Sequence, residues 1–430
     1  MDYLRGIIGI ATLVGIAFLL SKNKKAINWR LVITGIVLQL LAGILILRVP
    51  FIAAIFKKVS EGFVKFLSFS QEGAAFLFGG LVDETSFGFI FAFQVLPTII
   101  FFSTVSAGLY YLGILQKLVY GIAWIMARTM RLSGAESLSA AGNIFLGQTE
   151  APLLVKPYIS RMTYSELMCL MTGGMATIAG GVLAGYVAFL GGDDPVERTR
   201  FAAYLLSASI MNAPAAIVIA KILIPETNKE AIDTNLKVAD EEMGVNLIDA
   251  LSRGASDGLR LSVNVGAMLL AFIAVIAALN FLLKDVFGDI THLNQWVVSS
   301  TGGEFDGFSL EYILGQIFRV LAYIMGVAWE EALEVGSLLG QKTVINEFVA
   351  YLSMSEMKAD GIINGKALVV ATYALCGFSN FSSIAIQIGG IGSLAPNQQS
   401  NLSKLGLWAL LAATIACMMT GTVAGMLVDY

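Results

Sequence analysis

The chain has 430 residues, of which 57% are apolar and 13% charged, with a formal net charge of −4. Ordinary soluble domains carry about 25% charged residues, so this much apolar surface has to face lipid, and a soluble enzyme or binding domain is excluded. The small net charge, with no block of one sign, speaks against a nucleic-acid surface.

Apolar stretches long enough to cross about 30 Å of hydrocarbon predict eight spanning helices in chain order: Leu4–Leu20, Leu31–Val49, Phe87–Leu115, Tyr164–Leu190, Phe201–Ile224, Leu259–Leu283, Ala367–Ile388 and Leu402–Val428. Leu4–Leu20 lacks a basic leader and a small-residue cleavage site, and Lys22, Lys24 and Lys25 follow it. This reads as a retained first span rather than a signal peptide. Phe51–Leu81 and Val119–Arg131 are apolar but dotted with lysine and arginine, which suits helices lying at the interface. Thr227–Glu242 is polar and mixed in charge and reads as a solvent loop. The balance of Lys and Arg weakly favours an external N-terminus, leaving the acidic stretch from Asp285 to Glu311 outside.

Two segments, 135–158 and 330–354, are too polar for ordinary spans and too apolar for water-exposed loops. They predict re-entrant hairpins, because non-helical backbone at membrane depth survives only when buried in protein or lining a cavity. Ala123-Trp124 precedes one hairpin and Ala328-Trp329 the other. Each hairpin is followed by a span interrupted by small and polar residues, Ala176–Gly181 in one half and Cys376–Ser383 in the other. Opposed hairpins and broken helices meeting near the midplane are the pattern of an inverted repeat in a secondary transporter. The chain divides accordingly into scaffold and interfacial helices (1–86), a first repeat (87–258) and a second repeat (259–430). The fold class is an all-α polytopic membrane protein.

Glu150 and Glu347, one in each hairpin, are the leading functional candidates, since a carboxylate near the bilayer centre costs about 2.5–3.5 kcal/mol or more. Asn143, Gln148, Thr149, Asn346, Asn380, Ser382 and Ser383 surround them in sequence with neutral donors and acceptors. No Arg or Lys lies in the core of either hairpin or in the broken spans, so the expected ligand is polar, uncharged and rich in hydroxyls. Phe378 and Phe381 are placed either to flank a flat ring or simply to pack. The cysteines Cys169, Cys376 and Cys417 have no metal or disulfide spacing.

Gly147-Gln148-Thr149-Glu150-Ala151-Pro152, Asn346-Glu347-Phe348-Val349-Ala350-Tyr351 and Cys376-Gly377-Phe378-Ser379-Asn380-Phe381-Ser382-Ser383-Ile384 resemble the signature segments of concentrative nucleoside transporters. The resemblance covers nearly the whole chain, and the eight-span form is similar to bacterial members, which implies an inner-membrane, multi-pass location. It implies sodium-coupled symport of nucleosides, uridine or another pyrimidine nucleoside favoured, by a homotrimer whose substrate site moves as an elevator. By resemblance, Gln148 and Thr149 hydrogen-bond the nucleobase, Glu150 reaches it through water, and Val182 forms an apolar wall. Glu347, Asn380 and Ser383 hold the ribose hydroxyls, with Phe378 nearby. Asn143 and Thr177 supply side-chain ligands to sodium, completed by backbone carbonyls around Leu146, Thr177 and Ile178. Thr177 stands where the family often has serine, and keeps the hydroxyl.

Three other functions remain to be set against this. A proton-coupled transporter would use Glu150 or Glu347 as the titrating group. An intramembrane enzyme finds no support, as the single histidine, His292, has no metal-binding or catalytic spacing. An open channel is separated from a carrier by saturable transport.

Overall fold

The computed structural model describes residues 2–83, 87–88, 90–192, 194–228, 230, 232–236, 238 and 244–428, and every regular element among them is helical. The first three helices are α1 (Asp2–Leu20), α2 (Trp29–Arg48) and α3 (Pro50–Phe78). Asn28 caps α2 by accepting the amide of Leu31 at 3.3 Å. Pro50 opens α3, where its missing N–H costs nothing.

Two matching series follow. The first is α4 (Leu96–Tyr111), α5 (Ile114–Met130), the hairpin limb α6 (Gly134–Gly142) with its irregular return through Ala151–Ile159, the broken pair α7 (Tyr164–Ala176) and α8 (Gly180–Gly191), and α9 (Pro195–Leu223). The second is α10 (Leu247–Asn280), α11 (Leu310–Ile324), the hairpin α12 (Ala332–Val344) and α13 (Glu347–Ala359), the broken pair α14 (Gly365–Leu375) and α15 (Phe381–Leu394), and α16 (Gln399–Leu427). Equivalent helices pair across the repeat: α4 packs on α10 and α9 on α16. This is the inverted repeat expected of the hairpin pattern.

The central pair is α9 and α16, each with 89% of its most apolar stretch buried, whereas α10 buries 11% and presents Leu259, Val263, Leu270 and Ile273 outward. A helix this apolar and this exposed is at home only against lipid or another apolar surface. Seven of the eight predicted spans match stretches long and apolar enough to cross a membrane among the described residues, although one of them, Tyr164–Leu190, is broken between α7 and α8. The eighth, Ala367–Ile388, is two short helices, α14 and α15, because Gly377, Ser379 and Asn380 stop one and cap the next.

Several expectations need amendment. The sequence reading gave no helix to 310–324, yet α11 packs along the first limb of the second hairpin, as α5 does along the first. The Ala-Trp pairs are not equivalent: Ala123 and Trp124 lie inside α5, whereas Ala328 and Trp329 lie in the turn after α11. The shared dipeptide is therefore coincidental, and the helices flanking the hairpins carry the true correspondence. The helix α10 also runs unbroken through Gly258 and Leu259. Within the expected loop Thr227–Glu242, residues 229, 231, 237 and 239–242 lie outside the described residues.

Candidate functional site

Both helix breaks are built by local chemistry and then pressed together. Past Ala176 the backbone of Thr177 is extended (φ −118°, ψ 170°), which ends α7, and α8 resumes at Gly180. In the other half Asn380 caps α15 by accepting the amide of Ser383 at 2.9 Å, and the Ser382 hydroxyl donates to the same oxygen at 2.7 Å. The amide of Phe378 donates to the Thr177 carbonyl at 3.3 Å, joining one break to the other. A Cβ on Gly377 would sit 2.7 Å from the Ala176 carbonyl oxygen, so only glycine permits this approach.

The hairpin tips close on the breaks. The amide of Gly180 donates to the Phe145 carbonyl at 3.3 Å, holding the first tip against the first break. At the second tip Asn346 caps α13 through the amide of Val349 at 3.0 Å, which puts Glu347 in the first turn of that helix. A carboxylate there is favoured by the positive end of the helix dipole. Glu347 is 3% exposed. Its Oε1 accepts the Tyr186 hydroxyl at 2.9 Å and its Oε2 accepts the Asn380 amide at 2.8 Å. Each oxygen keeps a further lone pair, so the carboxylate is fixed in place yet still able to accept.

A second polar chain runs alongside. The Gln148 amide nitrogen donates to the Ser383 hydroxyl at 3.1 Å, and its oxygen accepts from Gln387 at 3.2 Å. Gln387 also donates to the Met171 carbonyl at 3.1 Å. That carbonyl can only accept, so it orients the amide of Gln387, which in turn turns the oxygen of Gln148 toward itself. Gln148 therefore has one set of faces rather than two. Thr149 is exposed at the tip, its methyl facing α15 near Gly390. Glu150 follows with Oε2 unpaired. Val182 is buried in the first turn of α8, and Phe378 is buried in the second break. Phe381 is 51% exposed and turned away from the buried face formed by Ser383 and Gln387, so it does not flank the site with Phe378.

The residues expected around a cation also converge. Asn143 caps the end of α6, beside Gly173 of α7, and its Oδ1 is buried without a hydrogen-bond partner. The Thr177 hydroxyl donates to the Gly173 carbonyl at 2.9 Å, leaving its own lone pairs unused. Leu146 and Ile178 are buried in the neighbouring turn and break. Oxygen lone pairs left unused at the negative ends of α6 and α7 fit a hard cation.

Three contributors were missed by sequence reasoning. Tyr186 lies four residues after Val182, one helical turn along the same face, and Gln387 stands four residues after Ser383. That spacing was the available signal. The third is Lys342, in the second hairpin, whose buried ammonium donates to the Ala374 carbonyl at 2.8 Å. Lys342 lies just outside the hairpin core 345–348, which itself carries no Lys or Arg, and it is turned toward the helix break.

Comparison with known proteins finds similarity along the whole chain. Family models described as Na+ dependent nucleoside transporter N-terminus, nucleoside recognition, and Na+ dependent nucleoside transporter C-terminus match residues 8–81, 92–193 and 204–425. The chain is 42% identical over 429 residues to the uncharacterized transporter YutK of Bacillus subtilis, with 100% of both chains covered. It is 39% identical over 439 residues to the sodium/nucleoside cotransporter 1 of Rattus norvegicus, with 97% of this chain and 63% of that protein covered. A solved structure of CNTnw in an inward-facing substrate-bound state matches with a TM-score of 0.89 at 39% identity, covering 99% of each chain.

Proposed function

We propose that this chain, which belongs to the Na+ dependent nucleoside transporter family, drives nucleoside uptake by symport with sodium and favours uridine or another pyrimidine nucleoside. It is a multi-pass membrane transporter and not an enzyme. The observation that carries the reading of the site is the buried junction of Glu347, Asn380, Gln148 and Ser383 where both hairpin tips meet both helix breaks.

In this reading the ribose hydroxyls donate to the free lone pairs of Glu347, which Tyr186 and Asn380 hold in position, and Ser383 offers its hydroxyl proton. Gln148 and Thr149 meet the nucleobase, Glu150 reaches it through water, and Val182 and Phe378 supply apolar walls. Sodium is held by Asn143, Thr177 and the carbonyls around Leu146, Thr177 and Ile178, for which the unpaired Asn143 oxygen is the main support. Three units organise the motion: the helices of 1–86 and two repeats, with the second boundary placed ahead of Leu247 because α10 is continuous. An elevator movement, a homotrimer and residence in a bacterial inner membrane complete the reading. They rest on family resemblance, and the exposed apolar face of α10 suits a lipid or subunit contact.

The energetics define the test. One sodium entering with a neutral nucleoside moves one charge, worth ~2.3 kcal/mol at 100 mV inside negative. A tenfold sodium gradient adds ~1.4 kcal/mol. The sum, ~3.7 kcal/mol, allows roughly 500-fold accumulation. Radiolabelled uridine uptake into proteoliposomes, with sodium, proton and choline gradients imposed separately, should be concentrative only with sodium and should rise with an inside-negative potential. Uptake that stops at the external concentration, or that follows the proton gradient alone, removes this reading.

A further inference from the structure

Lys342 is 1% exposed and makes no direct ion pair among the described residues, although Glu347 lies only five residues further along the hairpin. Removing an ammonium from water is expensive, and a single carbonyl hydrogen bond does not offset it. What surrounds it is the negative end of a helix. The ammonium rests on the Ala374 carbonyl, one residue before the end of α14. The next acceptor beyond that end, the buried Cys376 carbonyl, takes the Asn212 amide at 2.7 Å and the Cys417 thiol at 3.4 Å.

The equivalent junction of the first repeat lies between the ends of α6 and α7. It carries no lysine or arginine on α6, at the tip or along α7. It ends instead on the unpaired Oδ1 of buried Asn143 and the lone pairs of Thr177. Thus the two halves place the end of a hairpin limb against the end of a broken helix, one with bare oxygen atoms and the other with an ammonium in the carbonyl field.

We propose that the ammonium of Lys342 is a tethered cation that takes, in the second repeat, the place sodium takes in the first. Each half-helix end is then covered by one positive charge, one mobile and one covalently attached. The attached charge cannot be transported, so a single sodium accompanies each nucleoside. A fixed positive charge on the same hairpin also favours the acceptor form of Glu347 toward the ribose. This inference rests on the sodium reading of Asn143 and Thr177.

The test uses the full chain in proteoliposomes, with sodium and methylammonium as probes. The wild type should show a sodium Hill coefficient of about 1, since one site is coupled. Lys342→Ala opens a second site, so its Hill coefficient should rise toward about 2 and its half-saturating sodium concentration by about tenfold or more. Methylammonium should return both toward the wild-type values. Lys342→Met fills the space without charge, so nucleoside binding should fall at least about tenfold, with sodium binding retained and no rescue. Wild-type nucleoside affinity in Lys342→Met, or an unchanged sodium curve in Lys342→Ala, overturns the proposal. Should Lys342→Ala fail to fold, Lys342→Met alone decides: sodium binding without nucleoside binding supports it, and normal uptake ends it. An Asn143→Ala protein whose sodium curve matches the wild type would remove the sodium reading itself, whatever Lys342 does.

Discussion

The two hairpins share a plan, but they neutralise their buried carboxylates in opposite places. At the mouth of the first, Glu136 forms a capping box with Ser133 and a buried ion pair with Lys221 of α9. Lys221 also donates to Ser165 at 2.9 Å, and Glu226 lies 3.9 Å away, so α6, α7 and α9 are clasped at one end. At the mouth of the second, Glu334 occupies the matching first turn of α12, buried, with the Glu304 carboxyl and the Arg319 guanidinium beside it. Deeper in, the pattern reverses: the first hairpin ends on an unpaired Asn143 oxygen, whereas the second carries Lys342. A repeat therefore conserves helix geometry while leaving each half free to place its charges. One half is anchored at its mouth by an ion pair and ends at its tip on an unpaired oxygen; the other sets two carboxyl groups together at its mouth and carries an ammonium at its tip.

The contrast is broken most severely at the clasp. Lys221→Met strands Glu136 without its partner, and removing one member of a buried pair costs about 3–5 kcal/mol. Thermal unfolding in detergent should fall sharply, and a melting temperature equal to the wild type would mean that the first mouth is not anchored by charge. Next comes Glu347, proposed to hold the ribose. Glu347→Gln replaces an acceptor-only group with one that is half donor, and losing a charge-assisted hydrogen bond costs about 1.5–3 kcal/mol. Nucleoside affinity measured by calorimetry should drop by about ten- to more than a hundredfold, and 2′- or 3′-deoxynucleosides should lose far less on this variant than on the wild type.

Asn143→Ala tests the tip of the first hairpin. The sodium concentration for half-maximal uptake should rise by about tenfold, with nucleoside affinity at saturating sodium changed much less, as linkage between two sites requires. Gln387→Leu tests the contact that ties the halves together. Releasing the amide of Gln148 to turn either way should narrow discrimination between uridine and cytidine by several-fold, about 1 kcal/mol for one neutral hydrogen bond. An unchanged ratio would mean that Gln148 is oriented by something other than Gln387. The smallest effect is expected at the mouth of the second hairpin: Glu334→Gln relieves the meeting of two carboxyl groups, Glu334 and Glu304, and should leave stability unchanged or raise it by about 1 kcal/mol. A loss comparable to that of Lys221→Met would show the two mouths to be alike.

The sequence alone determined that this is a polytopic helical membrane protein, because hydrocarbon demands long apolar stretches and penalises every exception. It also marked the exceptions: the two hairpins, the two breaks, and the clustering of Asn143, Gln148, Glu347, Asn380 and Ser383 around them. These stood out because polar groups at membrane depth need a reason that is visible one residue at a time. Only the tertiary structure decided how those groups meet. Tyr186, Gln387 and Lys342 belong to ordinary-looking helices, and their roles depend on partners 161, 239 and 32 residues away. The helix α11 escaped notice because a 15-residue amphipathic segment is too short to announce a span and finds its apolar partner only when the hairpin packs on it. The Ala-Trp coincidence misled for the same reason. Local identity says nothing about whether two residues stand at equivalent places in a repeat, since that equivalence is a property of packing.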